Sequence, residues 1–408
     1  MQTRLADFIR DTPEGREADA ILRKCVHCGF CNATCPTYQL LGDELDGPRG
    51  RIYLIKQVLE GVAPTAKTRL HLDRCLTCRA CESTCPSGVQ YGRLADIGRG
   101  IVEHKAARGG LESLLRAALS FALPRTGLFG FFLGLGRIAR PFLPTGLQDK
   151  IPEKKEHPGN WPAPRHKRRM LVLAGCVQPV LAPAINAAAA RVLDRNGISL
   201  LEAPGAGCCG AVRFHLNEQE AGRDEMRALI DAWWPMIEGG EVEAIVMTAS
   251  GCGSTVKEYA HLLQHDPAYR DKAARISAMT RDLSEVLDSK SVAEKKATGR
   301  VAFQSPCSLQ HGQQIRGNVE ALLQGAGYEL TPVADGHLCC GSAGTYSILQ
   351  PELSGMLRAR KLAALAAGGA SIIATANIGC LSHLQSGTRA PPSGTRVRIV
   401  HWIQLLDE

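Results

Sequence analysis

CVHCGFCNATCP, residues 25–36, sets four cysteines with two, two and three residues between them, and a proline follows. CLTCRACESTCP, residues 75–86, repeats the pattern fifty residues on. A loop this short points three thiols at one centre, while the fourth cysteine serves the other centre of the pair. This is the spacing of paired [4Fe–4S] clusters. It assigns Cys25, Cys28, Cys31 and Cys85 to one cluster, and Cys75, Cys78, Cys81 and Cys35 to the other. Zinc favours ligands in two separated pairs, and disulfides belong to oxidising compartments; neither pattern fits well.

The insert between the two motifs contains RGRIYLIKQVLEG, with Ile52, Ile55, Val58 and Leu59 at helical spacing. A helical spacer predicts an α-helical two-cluster ferredoxin domain over residues 1–105. The preceding segment, MQTRLADFIRDTPEGREADAIL, is charged throughout and lacks the apolar core of a secretory signal. The expectation is a cytoplasmic protein whose thiols stay reduced and free for metal.

The chain has 408 residues, enough for two or three domains, and 16 cysteines. Its net charge of +8 comes without an arginine-rich repeat or aromatic ladder, which argues against nucleic acid. An anionic membrane surface or an acidic protein fits that charge better. Residues 106–167 form a connecting segment. Within it, residues 111–147 are rich in Leu and Phe, and Arg116, Arg125, Arg137 and Arg140 face a single acid, Glu112. Pro124 and several glycines predict short pieces. This is either a linker packed on a neighbour or a basic amphipathic segment on a membrane. The uncharged run at 170–190 is interrupted by Gln178, Pro179, Pro183 and Asn186, so it reads as strand, loop and helix. No transmembrane helix is expected.

From residue 168 predicted strands and helices alternate, as in a parallel sheet. The pattern then recurs. MLVLAGC and VAFQSPC end at Cys176 and Cys307; the pairs Cys208–Cys209 and Cys339–Cys340 follow after 31 intervening residues each. AIVMTASGC and SIIATANIGC end at Cys252 and Cys380. Two tandem Rossmann-like parallel-sheet lobes are predicted, at 168–290 and 298–408. In each, four cysteines fall past the C-terminal ends of strands, where open parallel sheets bind ligands.

These lobes resemble the CCG domains of heterodisulfide reductase subunits. The whole chain is similar to the family of iron–sulfur subunits of bacterial glycolate oxidase (glycolate dehydrogenase). CVHCGFCNATCPTYQLLGDELDGPRGRIYLIK, AGCCGAVRFHLN, TASGCGSTVKEY, CCGSAGTYSILQPELS and TANIGCLSHL carry the likeness. The resemblance implies an electron-transfer subunit working with an FAD-binding subunit and a second flavin-domain subunit. Glycolate is then oxidised to glyoxylate on the partner, and a membrane quinone takes the electrons. It also implies a peripheral position on the inner face of the cell membrane. The chain shows no flavin or nicotinamide fingerprint of its own, and no catalytic residue is assigned to it. Lactate or glycerol-3-phosphate oxidation, and disulfide reduction by the lobes themselves, are the alternatives.

The chain departs from the CCG pattern where a CxxC pair would close each lobe: Thr255 and His383 stand in place of the last cysteine. Four cysteines per lobe leave a further iron–sulfur cluster or a zinc as the expectation. His383 reads as a helix-start or surface residue, and Thr255 as structural. His311, Gln313, Gln314 and Arg316 read as the solvated face of an opening helix, and Trp233–Trp234 as core or interface.

Overall fold

A computed structural model describes residues 1–143, 148, 151–152, 156–289, 299–388 and 397–407. The end of the apolar 111–147 stretch and the boundary between the expected lobes fall outside the described residues. Up to residue 105 the chain is helical. Helix Pro13–Lys24 starts at Thr12, whose hydroxyl accepts from the Gly15 amide at 3.0 Å, with proline at its first position. Helix Pro48–Leu59 buries Ile52, Ile55, Val58 and Leu59, the periodic residues of the sequence. Helix Tyr91–Lys105 crosses it at Gly98, where a Cβ would sit 2.6 Å from the Ile55 side chain. Any larger residue would force the two helices apart.

The connecting segment departs from expectation. It forms two helices, Gly110–Ala122 and Thr126–Ala139, bent by 116° at the break. Pro124 supplies the break, while Gly127, Gly130, Gly134 and Gly136 lie inside the second helix. Glycine costs a helix only about 1 kcal/mol, and the Leu and Phe between these glycines sustain it. Arg108 and Arg116 clamp the pair to the ferredoxin region through Asp73, Glu103 and Glu112.

Strands β1 (Arg168–Val172), β2 (Ile198–Glu202), β3 (Ala244–Met247) and β4 (Thr280–Asp282) make one sheet in the order β2-β1-β3-β4. Strands β5 (Arg300–Gln304), β6 (Glu329–Leu330), β7 (Ile372–Thr375) and β8 (Arg398–His401) repeat that order as β6-β5-β7-β8. All pairings are parallel. Buried apolar strands such as AIVM and IIAT suit sheets covered on both faces.

The lobes exchange their closing helices. Helix Trp402–Asp407, at the end of the second lobe, packs on Ala184–Arg195 of the first, with Arg191 holding Asp407 at 2.6 Å. Leu283–Val286, at the end of the first, packs on Asn318–Gly325 of the second. One apolar core therefore runs through both lobes. It turns the strand ends β3 and β7 toward each other, and the Ser250 amide donates to the Ala376 carbonyl at 3.1 Å.

His401 closes this seam. Its Nε2 lies 2.9 Å from the Thr248 carbonyl, and its Nδ1 accepts from the Ile403 amide at 3.4 Å. Only the neutral ring protonated at Nε2 satisfies both. Burial pulls its pKa down to about 4, outweighing the carbonyls of Thr248 and Ala376 that pull the other way. An unfolded histidine titrates near about 6.5. Between those values the unfolded chain takes up a proton that the folded chain refuses. The stability carried by neutral His401 is full above the upper value and is lost as pH falls toward the lower. Melting curves should show Tm falling across that window, and His401→Gln should flatten the fall. Equal pH slopes in the two proteins would refute the assignment.

Candidate metal centres

Two of the four cysteine sets lie in the ferredoxin region. Each CxxCxxC loop carries two left-handed residues at matching places: His27 (φ 57°) and Gly29 (φ 87°) in the first, Thr77 (φ 50°) and Arg79 (φ 59°) in the second. Alternating right- and left-handed backbone aims successive amides into a concavity, the geometry that cradles anions and iron–sulfur clusters. The Thr77 amide accordingly donates to Cys75 Sγ at 3.4 Å. Cys25, Cys28, Cys31 and Cys85 line one cavity; Cys35, Cys75 and Cys78 line a second, and Cys81 borders both. The sets read from sequence spacing are thus brought together, each with its fourth cysteine from the other motif.

The two sites differ in surroundings. At the first, Cys28 is exposed, and Val26 and Phe30 show 68% and 60% of their surface to solvent. Burial pushes the Cys31 thiol up to about 11. At the second, burial would also raise Cys75, but the guanidinium groups of Arg51 and Arg99, the Tyr91 hydroxyl and the Thr77 amide outweigh it. Its pKa is held below the ordinary thiol value.

Arg51 is 1% exposed. It donates to the His71 carbonyl at 2.7 Å and to Thr37 Oγ1 at 3.2 Å, with Cys35 Sγ at 3.9 Å. Asp46, fully buried, balances it together with Arg74 and His71. The donor set, four thiols with buried cations and inward amides, fits an anionic thiolate-bound cluster. Spacing alone does not reveal Arg51; its signal is an arginine on the apolar face of a predicted helix.

The other two sets lie at the C-terminal edges of the sheets. In the second lobe Cys307 and Cys339 stand 3.8 Å apart, and Cys340 and Cys380 3.1 Å apart. These are converging free thiols, since a disulfide would bring sulfurs to about 2.05 Å. In the first lobe Cys176, Cys208, Cys209 and Cys252 form a similar chain of neighbours. Cys252 and Cys380 sit in the first turn of the helices Ser250–Lys257 and Ile378–Gly387 rather than on strands. The glycine of each CCG run is required by space: a Cβ on Gly210 would meet the Gly222 carbonyl at 2.5 Å, and one on Gly341 the Leu357 Cβ at 2.8 Å. Both also have positive φ.

The lobes are not electrostatic copies. Beside the second lobe's thiols lies Lys361, 3% exposed, its ammonium donating to the Asp335 carbonyl at 2.9 Å. Beside Cys208 lies Glu225, partnered by Arg213 at 3.2 Å.

The remaining sequence candidates separate. Thr255 bonds the Gly251 carbonyl one turn back and is structural. His383 lies within helix Ile378–Gly387, with its Nε2 3.2 Å from Ser354 Oγ. Trp233 is core, and Trp234 lies under Lys272. The reading of His311 as part of a solvated face is corrected. It is 7% exposed on a π turn, Ser308–Gly312, donating from Nε2 to the His337 carbonyl and accepting from Ser83 in the ferredoxin region. Its burial comes from a contact between distant segments, invisible to local pattern. Gln313 likewise faces the first lobe, donating to the Ser250 carbonyl at 3.0 Å.

Residues 21–89 match the 4Fe-4S dicluster domain family, and residues 170–257 and 301–385 each match the Cysteine-rich domain family. The chain is 54% identical over 410 residues to the glycolate oxidase iron-sulfur subunit of Escherichia coli (strain K12), covering 100% of this chain and 99% of that protein. It is 31% identical to the probable glycolate oxidase iron-sulfur subunit of Bacillus subtilis (strain 168), covering 95% and 94%. Lactate utilization protein A of Shouchella clausii (strain KSM-K16) is 26% identical over 57% of this chain and 95% of its own length.

Replacing Arg51 by methionine leaves buried Asp46 with only Arg74 and His71 and removes positive charge from Cys35 and Cys75. The expected cost is about 3–5 kcal/mol, read as a lowered Tm, with iron lost more readily to a chelator. An unchanged Tm and unchanged iron retention would show that Arg51 is not the compensating charge.

Proposed function

The chain belongs to the family of glycolate oxidase iron–sulfur subunits, and we propose that it carries electrons within a flavin-dependent glycolate dehydrogenase complex. The observation behind this reading is a likeness spanning both chains end to end, over a region with two thiol sets arranged for clusters. Glycolate oxidation to glyoxylate releases two electrons and two protons. An FAD-binding subunit, with a second flavin-domain subunit, takes them from the substrate. Cys25, Cys28, Cys31 and Cys85 would hold one [4Fe–4S] cluster, and Cys75, Cys78, Cys81 and Cys35 the other. Such clusters accept single electrons, which splits a two-electron flavin oxidation into one-electron steps. The chain's own residues hold the sulfurs, compensate their charge and exclude water.

The domain limits follow the same reading: 1–105 for the ferredoxin domain, 106–167 for the connection, then the two lobes at 168–290 and 298–408. The strand order β2-β1-β3-β4 supports a Rossmann-like, doubly wound description of each lobe.

The acceptor is a membrane quinone, reached from a peripheral position on the inner membrane face. Among the described residues no single helix is long and apolar enough to cross a membrane. The helix pair 110–142 instead exposes Leu111, Phe131, Ile138 and Phe142, flanked by Arg125, Arg137 and Arg140. Apolar side chains with basic neighbours suit an anionic lipid surface. Lactate is the second reading, carried by the partial likeness to lactate utilization protein A.

The complex purified anaerobically should contain about eight irons per chain or more, and glycolate should bleach the cluster absorbance. Bleaching by lactate and not glycolate would move the substrate to the second reading; bleaching by neither would overturn the electron-transfer role. Replacing Leu111, Phe131, Ile138 and Phe142 with serine should shift the complex from the membrane to the soluble fraction. Undiminished membrane association would refute the lipid contact.

A further inference from the structure

The four cysteine sets are not scattered; each abuts the next. The set Cys25, Cys28, Cys31 and Cys85 is nearest the surface, and Cys81 borders both its cavity and that of Cys35, Cys75 and Cys78. Cys78 in turn packs in one small apolar cluster with Cys307 and Cys339 of the second lobe, together with Leu76 and Tyr346. Tyr346 spans this junction: its hydroxyl donates to the Arg74 carbonyl at 3.2 Å, and its ring is buried beside Cys75 and Cys339. Ser83–His311 is a second tie across the same junction. No first-lobe cysteine among the described residues shares a cluster with a ferredoxin cysteine.

The first lobe meets the ferredoxin region through polar pairs, Arg79 with Glu258 and Asn217 with Glu103, and its thiols meet the second lobe. Asn377 Nδ2 lies 3.8 Å from Cys380 Sγ, and its Oδ1 accepts from the Gly251 amide at 3.3 Å, next to Cys252. Cys252 itself packs against the core that holds Cys340 and Cys380. On its far side the first lobe touches the apolar helix pair, where Gly130 faces Val180, and Arg213 donates to the Ser120 carbonyl at 3.3 Å.

We infer that the cysteine sets form one series in which Cys78 and Tyr346 join the ferredoxin region to a redox-active iron–sulfur centre on Cys307, Cys339, Cys340 and Cys380. The first-lobe set lies beyond it, joined through Asn377 and Cys252. This rests on the proposed electron-transfer function and adds an order to it. Electrons enter at the exposed Cys28 side and leave toward the apolar helices. At the Cys78 junction one electron passes at a time: the ferredoxin-side cluster is oxidised by one and the second-lobe centre reduced by one. Two such transfers per glycolate match the two electrons released, and a quinone is the terminal oxidant. Lys361 beside the second-lobe thiols favours added negative charge there, while the first-lobe thiols have beside them Glu225, already paired with Arg213. Zinc has no redox chemistry and would not serve in this place.

The test uses the full complex, purified anaerobically and reduced with dithionite, so its outcome does not depend on the substrate. Iron per chain and the electron paramagnetic resonance spectrum are read for the wild type, Cys339→Ser, Cys380→Ser and Cys208→Ser. Cys380 lies on the far side of the second-lobe set from Cys78, so its variant empties that site without disturbing the junction, and carries the test if Cys339→Ser does not fold. Both second-lobe variants should lose about four irons per chain and lose the magnetic broadening on the ferredoxin-region signals. Cys208→Ser should leave those signals as in the wild type. Zinc in the wild-type second lobe, or ferredoxin signals indifferent to Cys380→Ser, would overturn the series. Failure of glycolate to reduce any cluster in the wild type would instead overturn the functional reading and leave this result standing.

Discussion

Sulfur anions in a low-dielectric interior need compensation, and much of this structure supplies it. Thiols with bound metal are anionic, and an unpaired buried charge costs several kcal/mol. Around Cys35 and Cys75 the answer is a buried cation, Arg51, held by Asp46, Thr37 and the His71 carbonyl. Removing any one of these would leave another charge or donor unmatched. That is why Pro48–Leu59, which looks like a simple amphipathic spacer, is instead the support of the second site. Around the first site, nearer solvent, no cation among the described residues is buried so deeply; water can do part of the same work.

The lobes solve a different problem. A four-stranded parallel sheet with short edge strands, such as the two-residue β6, buries little by itself. Exchange of closing helices gives both lobes one core, and the cysteine-bearing edges are drawn together as a consequence. His401 shows how tightly that seam is specified: a neutral ring in one tautomer, with both nitrogens used. The same seam places Asn377 between Cys380 and Gly251. Packing that stabilises the pair is thus also what positions the thiols.

Legibility in the sequence follows from what is local. Thiol spacing within each CxxCxxC loop is local, and the repeat aligns the lobe cysteines with one another, so which thiols converge is foreshadowed by the order of residues. Helical period identifies Pro48–Leu59, and alternation of strands and helices identifies the two parallel sheets. Residues whose environment comes from distant segments are not legible in this way. His311 looks solvated because Ser83, its partner, lies 228 residues away in sequence. Arg51 carries a cue, but only the fold shows that His71 and Asp46 surround it. The glycines of 126–139 argue for breaks, yet the intervening apolar residues hold a continuous helix.

Internal repetition invites the view that the two lobes do the same thing, and their thiols alone would support it. The surroundings argue otherwise. Lys361 lies beside the second-lobe thiols, whereas the acid beside the corresponding first-lobe set, Glu225, is paired with Arg213. A metal–sulfur centre responds to nearby charge through its reduction potential, so equal ligands in unequal fields give unequal potentials. Position separates the lobes further: among the described residues only the second shares a cluster of packed side chains with Cys78, while the first meets the ferredoxin region through pairs such as Arg79 with Glu258 and also lies against the apolar helix pair. A duplicated ligand set, with different charges beside it and different packing against the ferredoxin region, has the properties of successive stations rather than of redundant copies.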